Sequence, residues 1–85
     1  MPVLTPRTAG LALAATGAAH FVAPSAFETL TARAFPTDTQ SWIRRNGTTE
    51  LALGAALAVP RTRRLGAVGL AGYVAWLGFN AVKNR

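Results

Sequence analysis

The chain has 85 residues, with nine lysines and arginines against three acidic residues, a net charge of +6, no cysteine, and apolar side chains at 51% of positions. One domain at most fits this length, and a soluble version would struggle to enclose a core. The missing cysteines exclude disulfides and thiolate chemistry, and the basic residues punctuate the ends of apolar runs instead of forming a stripe, which argues against nucleic acid and for anionic lipid headgroups.

The first apolar run spans residues 10–22 and contains only Thr16 and His20 as polar side chains. A helix that is apolar all round must be buried on every side, and helices of this kind cannot bury one another within so short a chain, so lipid is the expected solvent. A span over 8–23 is predicted, rising roughly 24 Å at 1.5 Å per residue. A cleaved signal peptide is the rival for this run; the lack of a clean small-x-small cleavage site and the two apolar runs that follow argue against it.

Pro24 stops the first helix, and Ser25 with Glu28 has capping-box spacing. Phe27, Leu30 and Ala34 would share one face of a short amphipathic helix over 25–36 that lies in the membrane interface and ends at Pro36. Thr37 and Gln40 repeat the capping-box spacing and start a second span over 40–59, with Trp42, Arg44 and Arg45 at the interface. The Asn46-Gly47 dipeptide is a turn signal, but a restart after it would leave too few residues to cross, so one continuous helix is expected.

Pro60 with Arg61, Arg63 and Arg64 forms a basic turn before the third span, 65–83. Positive charge in a short loop places it in the cytoplasm, and Arg7 agrees, giving a cytoplasmic N-terminus. Arg33, Arg44, Arg45, Lys83 and Arg85 count against that orientation.

Small residues show how the helices would pack. Gly66, Gly69 and Gly72 recur at three-residue steps, and Gly69, Tyr73, Trp76 and Asn80 follow one face. In the first span Leu13, Thr16, Gly17 and His20 share a face; in the second, Gly47, Glu50, Gly54 and Leu57 do. His20 and Glu50 are costly in hydrocarbon, by about 3 kcal/mol each on insertion scales. Because consecutive spans run antiparallel, the two lie in the same half of the bilayer and can meet. Three readings of that contact compete: a structural pair that fixes helix register, a quinone-headgroup contact with Trp42 and Arg44 or Arg45 nearby, and an axial haem ligand at His20 completed by a partner subunit.

The strings GAAHFVAPSAF (residues 17–27), NGTTELALGAAL (46–57) and VPRTRR (59–64) resemble the DoxX-like family of small integral membrane proteins. The resemblance covers roughly residues 10–80, with Gly17, His20, Phe21, Pro24, Gly47, Glu50, Leu51 and Gly54 at motif positions. It implies a four-helix membrane protein in a quinone-linked respiratory setting; the founding example is the small subunit of a quinol oxidase or thiosulfate:quinone oxidoreductase. The present chain departs from the pattern by ending after the third span, which leaves a flank for a larger assembly, such as a succinate dehydrogenase with small extra membrane anchors.

The chain offers no nucleophile with an adjacent base, no metal-ligand cluster and no phosphate-cradling glycine loop. The expected protein is therefore all-α, a single membrane domain over 1–85 with three transmembrane helices in an antiparallel bundle and one interfacial helix. Its expected role is a non-catalytic accessory or anchor subunit of a quinone-linked respiratory oxidoreductase in a bacterial inner membrane. It would bind no metal and no cofactor alone, with quinone or haem only at an interface with partner subunits. The rivals are a quinone-reactive enzyme component and a small transporter or channel-like oligomer. Its expected partners are the lipid bilayer and larger membrane subunits.

Overall fold

The computed structural model describes residues 5–85, and among these the chain is all-helical. Helix α1 spans Pro6–Val22. Thr5 caps it by accepting a hydrogen bond from the Thr8 amide at 3.1 Å, and Pro6 occupies the first helical position, where a missing N–H costs nothing. After Ala23 a 3₁₀ turn, Pro24–Phe27, leads into the short helix α2, Glu28–Ala34. Pro24 cannot continue α1, and the chain bends by 112° at this break. Helix α3 runs unbroken over Thr39–Ala58, a second 3₁₀ turn covers Pro60–Thr62, and helix α4 spans Arg63–Lys83.

Neither expected capping box forms. Both α2 and α3 lack a side-chain cap; Asp38 enters α3 in the left-handed region at φ 56°, which Asp tolerates, and the Gln40 amide donates instead to Glu28 Oε2 at 3.2 Å. This bond ties the start of α3 back to α2. Helix α2 buries Thr31 and Ala34, while Leu30 is 71% exposed, so its inner face is rotated from the expected one.

The core of the fold is the antiparallel contact of α1 with α3. At Gly47 an added Cβ would lie 2.5 Å from His20 Cβ, and at Gly10 it would lie 2.5 Å from the Ala58 amide nitrogen. Gly17 and Gly54 are as tightly enclosed by the facing backbone. Only glycine permits this approach, and the dispersion contact between the two backbones replaces a large apolar core. The need for that approach explains why Asn46-Gly47 stays helical: Gly47 is a packing residue, not a turn residue. Gly10 joins the set although the face pattern had not singled it out.

Helix α4 packs antiparallel on another side of α3. Gly66 meets the backbone at Leu57, and a Cβ at Gly69 would press on Leu53 Cδ2 at 2.7 Å. Gly72 has nothing within 4 Å of its Cβ direction, so the expected packing role fails there: the buried face of α4 runs through Gly66, Tyr73 and Asn80, and Gly72 points away from it. The basic turn is held by its own side chains. Thr62 Oγ1 donates to Ala56 O at 2.8 Å, and Arg63 Nε donates to Leu57 O at 2.9 Å, which satisfies the orphan carbonyls at the end of α3.

Helices α1 and α4 flank α3 with little contact between them, and α2 lies across one end. There Phe35 stacks on Trp42 at 4.5 Å between centroids and meets Trp76 at 5.1 Å, joining the end of α2 to α3 and α4. Asn84 Nδ2 adds a hydrogen bond to Ala34 O at 2.9 Å.

The segment Pro60–Lys83 is long and apolar enough to cross a membrane. Helix α1 meets that measure only together with the bent segment Pro24–Ala34, and α3, which carries Arg44, Arg45 and Glu50, does not meet it among the described residues.

The glycine contacts predict that Gly17→Val destabilises the fold by about 1–3 kcal/mol through overpacking, whereas Gly72→Ala changes stability by less than about 0.5 kcal/mol. Reversible unfolding in detergent followed by circular dichroism measures both.

Candidate functional site

Because α1 and α4 stand apart, a cleft of about 470 Å³ lies between them, floored by α3 and closed at one end by α2. His20 from α1, Asn46 and Glu50 from α3, and Tyr73 from α4 contribute its polar wall; Phe27, Leu30, Val74 and Leu77 are among its apolar lining.

The close passage of α1 over Gly47 brings His20 beside Glu50. His20 Nδ1 lies 2.8 Å from Thr16 O. A carbonyl only accepts, so Nδ1 carries a proton and Nε2 is the nitrogen turned to Glu50, 3.9 Å from its Oε2. The separation exceeds a hydrogen bond. The imidazole also stacks on Phe27 with centroids 3.7 Å apart, so the 3₁₀ turn after α1 fixes the ring from its other side.

Glu50 makes its direct hydrogen bond elsewhere. The Tyr73 hydroxyl donates to Glu50 Oε2 at 2.6 Å, across the α3–α4 interface. Glu50 therefore lies between two helices, with the imidazole of α1 on one side and the phenol of α4 on the other. It is the polar link that spans all three long elements.

The expected meeting of His20 and Glu50 is thus present as a close contact, and Tyr73 is the member that sequence reasoning left out. A signal for it existed: Glu50 and Tyr73 lie almost equally far on either side of the turn at Arg61, so antiparallel helices joined there must bring them level. Asn46 was read as part of a turn signal, and Thr31 is not among the residues expected on the shared face of α2; both are buried and line the cleft.

The other proposed headgroup contacts lie apart from this wall. Trp42 belongs to the aromatic cluster with Phe35 and Trp76, and lines a second cavity of about 360 Å³ with Pro36, Asn80 and Lys83. The Arg45 guanidinium covers the Trp42 ring at 4.8 Å from its centroid, and Arg44 is exposed. Neither arginine nor Trp42 lines the cleft beside His20 and Glu50.

Among the described residues no group of three or more His, Cys, Asp or Glu side chains is placed to hold a metal ion. Residues 9–82 match DUF8561, a domain of unknown function. The chain belongs to this family. No curated protein and no solved structure matches it. The DUF8561 match takes in α1 from its first turn through nearly all of α4, so both walls of the cleft lie within the family domain.

The polar link makes a distinction between two substitutions. Glu50→Gln retains an acceptor for Tyr73 and is expected to cost less than about 1 kcal/mol, whereas Glu50→Leu leaves the buried Tyr73 hydroxyl unpaired and is expected to cost about 1–3 kcal/mol. Thermal unfolding of the two variants in detergent, compared with Tyr73→Phe and with the double change, measures the coupling.

Proposed function

We propose that this protein is a three-span integral membrane protein that acts as a non-catalytic accessory or anchor subunit of a quinone-linked respiratory oxidoreductase in a bacterial inner membrane. The observation that carries the membrane part is the distribution of polarity. The buried polar side chains are His20, Thr31, Asn46 and Asn80, while Val22, Leu65, Val68, Phe79 and Val82 are each more than 60% exposed. Water would favour the reverse arrangement; lipid favours this one. Hydroxyls within the helices are returned to their own backbone, Thr16 Oγ1 to Ala12 O at 2.9 Å and Thr49 Oγ1 to Arg45 O at 3.0 Å, as an apolar solvent requires.

Helix lengths support three crossings. At 1.5 Å per residue, α3 and α4 rise about 30 Å and α1 about 25 Å, and α3 reaches that length by letting Arg44 and Arg45 extend to the headgroups. The segment 24–38 then lies at one surface and the turn 60–62 at the other, with the basic turn and Arg7 cytoplasmic.

The accessory role rests on what the bundle leaves uncovered. The α1 and α4 flanks do not close on each other, and the DoxX-like motif residues surround the α1–α3 contact and the mouth of the cleft. That resemblance supplies the quinone-linked setting. A second reading, a quinone-reactive component of a membrane oxidoreductase, draws on the cleft beside Glu50. It would gain from redox turnover by the purified chain with a soluble quinol, and lose if none is seen when the fold is intact.

Two measurements test the main proposal. The chain lacks native cysteine, so single cysteines at Thr8, Thr37 and Arg61 can be labelled by an impermeant maleimide in intact and in permeabilised cells; positions 8 and 61 are expected on one side and 37 on the other, and a common side for all three excludes three spans. Purification from native membranes in mild detergent is expected to recover a larger oxidoreductase; recovery of the chain alone at stoichiometric yield overturns the accessory role.

A further inference from the structure

The cleft wall carries more hydrogen-bonding capacity than the chain uses. Asn46 is 5% exposed and Thr31 8% exposed, yet neither side chain has a hydrogen-bond partner among the described residues. His20 Nε2 is likewise left without one, and Glu50 Oε1 is free because Tyr73 occupies Oε2. Every fully occluded side-chain nitrogen or oxygen among the described residues does have a partner, so these four groups open onto the cleft. These groups converge on one space, where the polar head of a ligand can pair with them.

We infer that the cleft is a binding site for a lipophilic small molecule with a hydroxyl head, the hydroxyl donating to Glu50 and its oxygen accepting from Asn46 or Thr31. Three observations select this occupant. The space, about 470 Å³, is that of a small-molecule pocket, and its remaining lining, with Phe27, Leu30, Val74 and Leu77, is apolar. The polar wall combines the Glu50 carboxyl, which accepts a hydroxyl proton, with Asn46 and Thr31, which can donate to a hydroxyl oxygen, while the His20 Nδ1 proton is engaged by Thr16 O. His20 Nε2 lies 3.9 Å from Glu50 Oε2, beyond a direct hydrogen bond. Asn46 and Glu50, one helical turn apart on the same face of α3, both line the cleft. A head that only accepts, such as an ether or a ketone, would offer no donor to Glu50 Oε1, the oxygen that Tyr73 does not occupy.

The site is a property of this chain's own fold and stands whether or not the protein joins a respiratory complex. The test uses the full chain in lipid nanodiscs with tritiated 4-nonylphenol, displaced by unlabelled 4-nonylphenol or by 4-nonylanisole, its methyl ether, with protein-free nanodiscs as background. The two probes have nearly the same size and apolarity and differ in the donor. Saturable binding of one phenol per chain is expected, with the ether at least about tenfold weaker, as for loss of a hydrogen bond to a charged group. Glu50→Gln is expected to cut that preference to within about threefold, because an amide can donate to the ether oxygen. Thr31→Val, nearly isosteric, is expected to weaken phenol binding several-fold with no change in helix content. Equal affinity of phenol and ether would reduce the cleft to an unspecific apolar space and overturn the inference. So would absence of saturable binding by a folded chain, whether water or a second copy fills the cleft, or a preference untouched by Glu50→Gln.

Discussion

The approach of α1 to α3 over four glycines is the constraint on which the rest of the structure depends. With Gly10 and Gly17 on one helix and Gly47 and Gly54 on the other, backbone meets backbone, and no large side chain separates them. With few large side chains buried, close backbone packing of this kind is a main source of cohesion, through dispersion. Among the described residues, Ile43 is the one large side chain that is completely buried. The contact also places His20 over Gly47, so the geometry of the polar wall follows from the glycines instead of being set independently.

Helix α4 is attached by other means. Gly66 gives one close contact near the turn, the Tyr73–Glu50 hydrogen bond holds the middle, and the aromatic cluster of Phe35, Trp42 and Trp76 holds the far end. Since α4 leans on α3 and α2 while standing off from α1, a cleft opens beside the one carboxylate in the interior. Packing and site share a residue in Glu50: it accepts from Tyr73 with one oxygen and faces the cleft with the other. A change at Glu50 therefore acts on helix association and on ligand chemistry together, and the glutamine and leucine substitutions separate the two effects.

Much of the helical layout was legible in the chain because prolines and glycines act locally. Pro24 and Pro60 break helices wherever the chain then goes, since each removes an N–H and clashes with the preceding turn. The small residues at 17, 47, 54 and 66 were readable as packing positions because three- and four-residue steps keep them on one face. Gly72 shows the limit of that reading. A repeat at three-residue steps drifts around the helix, and only the position of α3 decides which of the three glycines it touches. The Ser25–Glu28 and Thr37–Gln40 spacings failed for a related reason: Glu28 and Gln40 found each other across the α2–α3 turn, and a tertiary bond took the place of two local caps.

By itself the sequence determined that the chain is helical and breaks at Pro24 and Pro60, which stretches are apolar all round, and that His20 and Glu50 fall on faces that can meet, because these depend on backbone chemistry and helical period. The tertiary structure alone decided that Glu50 bonds to Tyr73 and stands 3.9 Å from His20, that Trp42 and Arg45 stack in a cluster away from that pair, and that Asn46 and Thr31 turn inward to the same cleft. Those outcomes depend on the rotation and separation of whole helices. That relation is fixed by the glycine contacts of α1 with α3 and by the short turn before α4, and a periodic pattern read along one helix contains no measure of its distance from another.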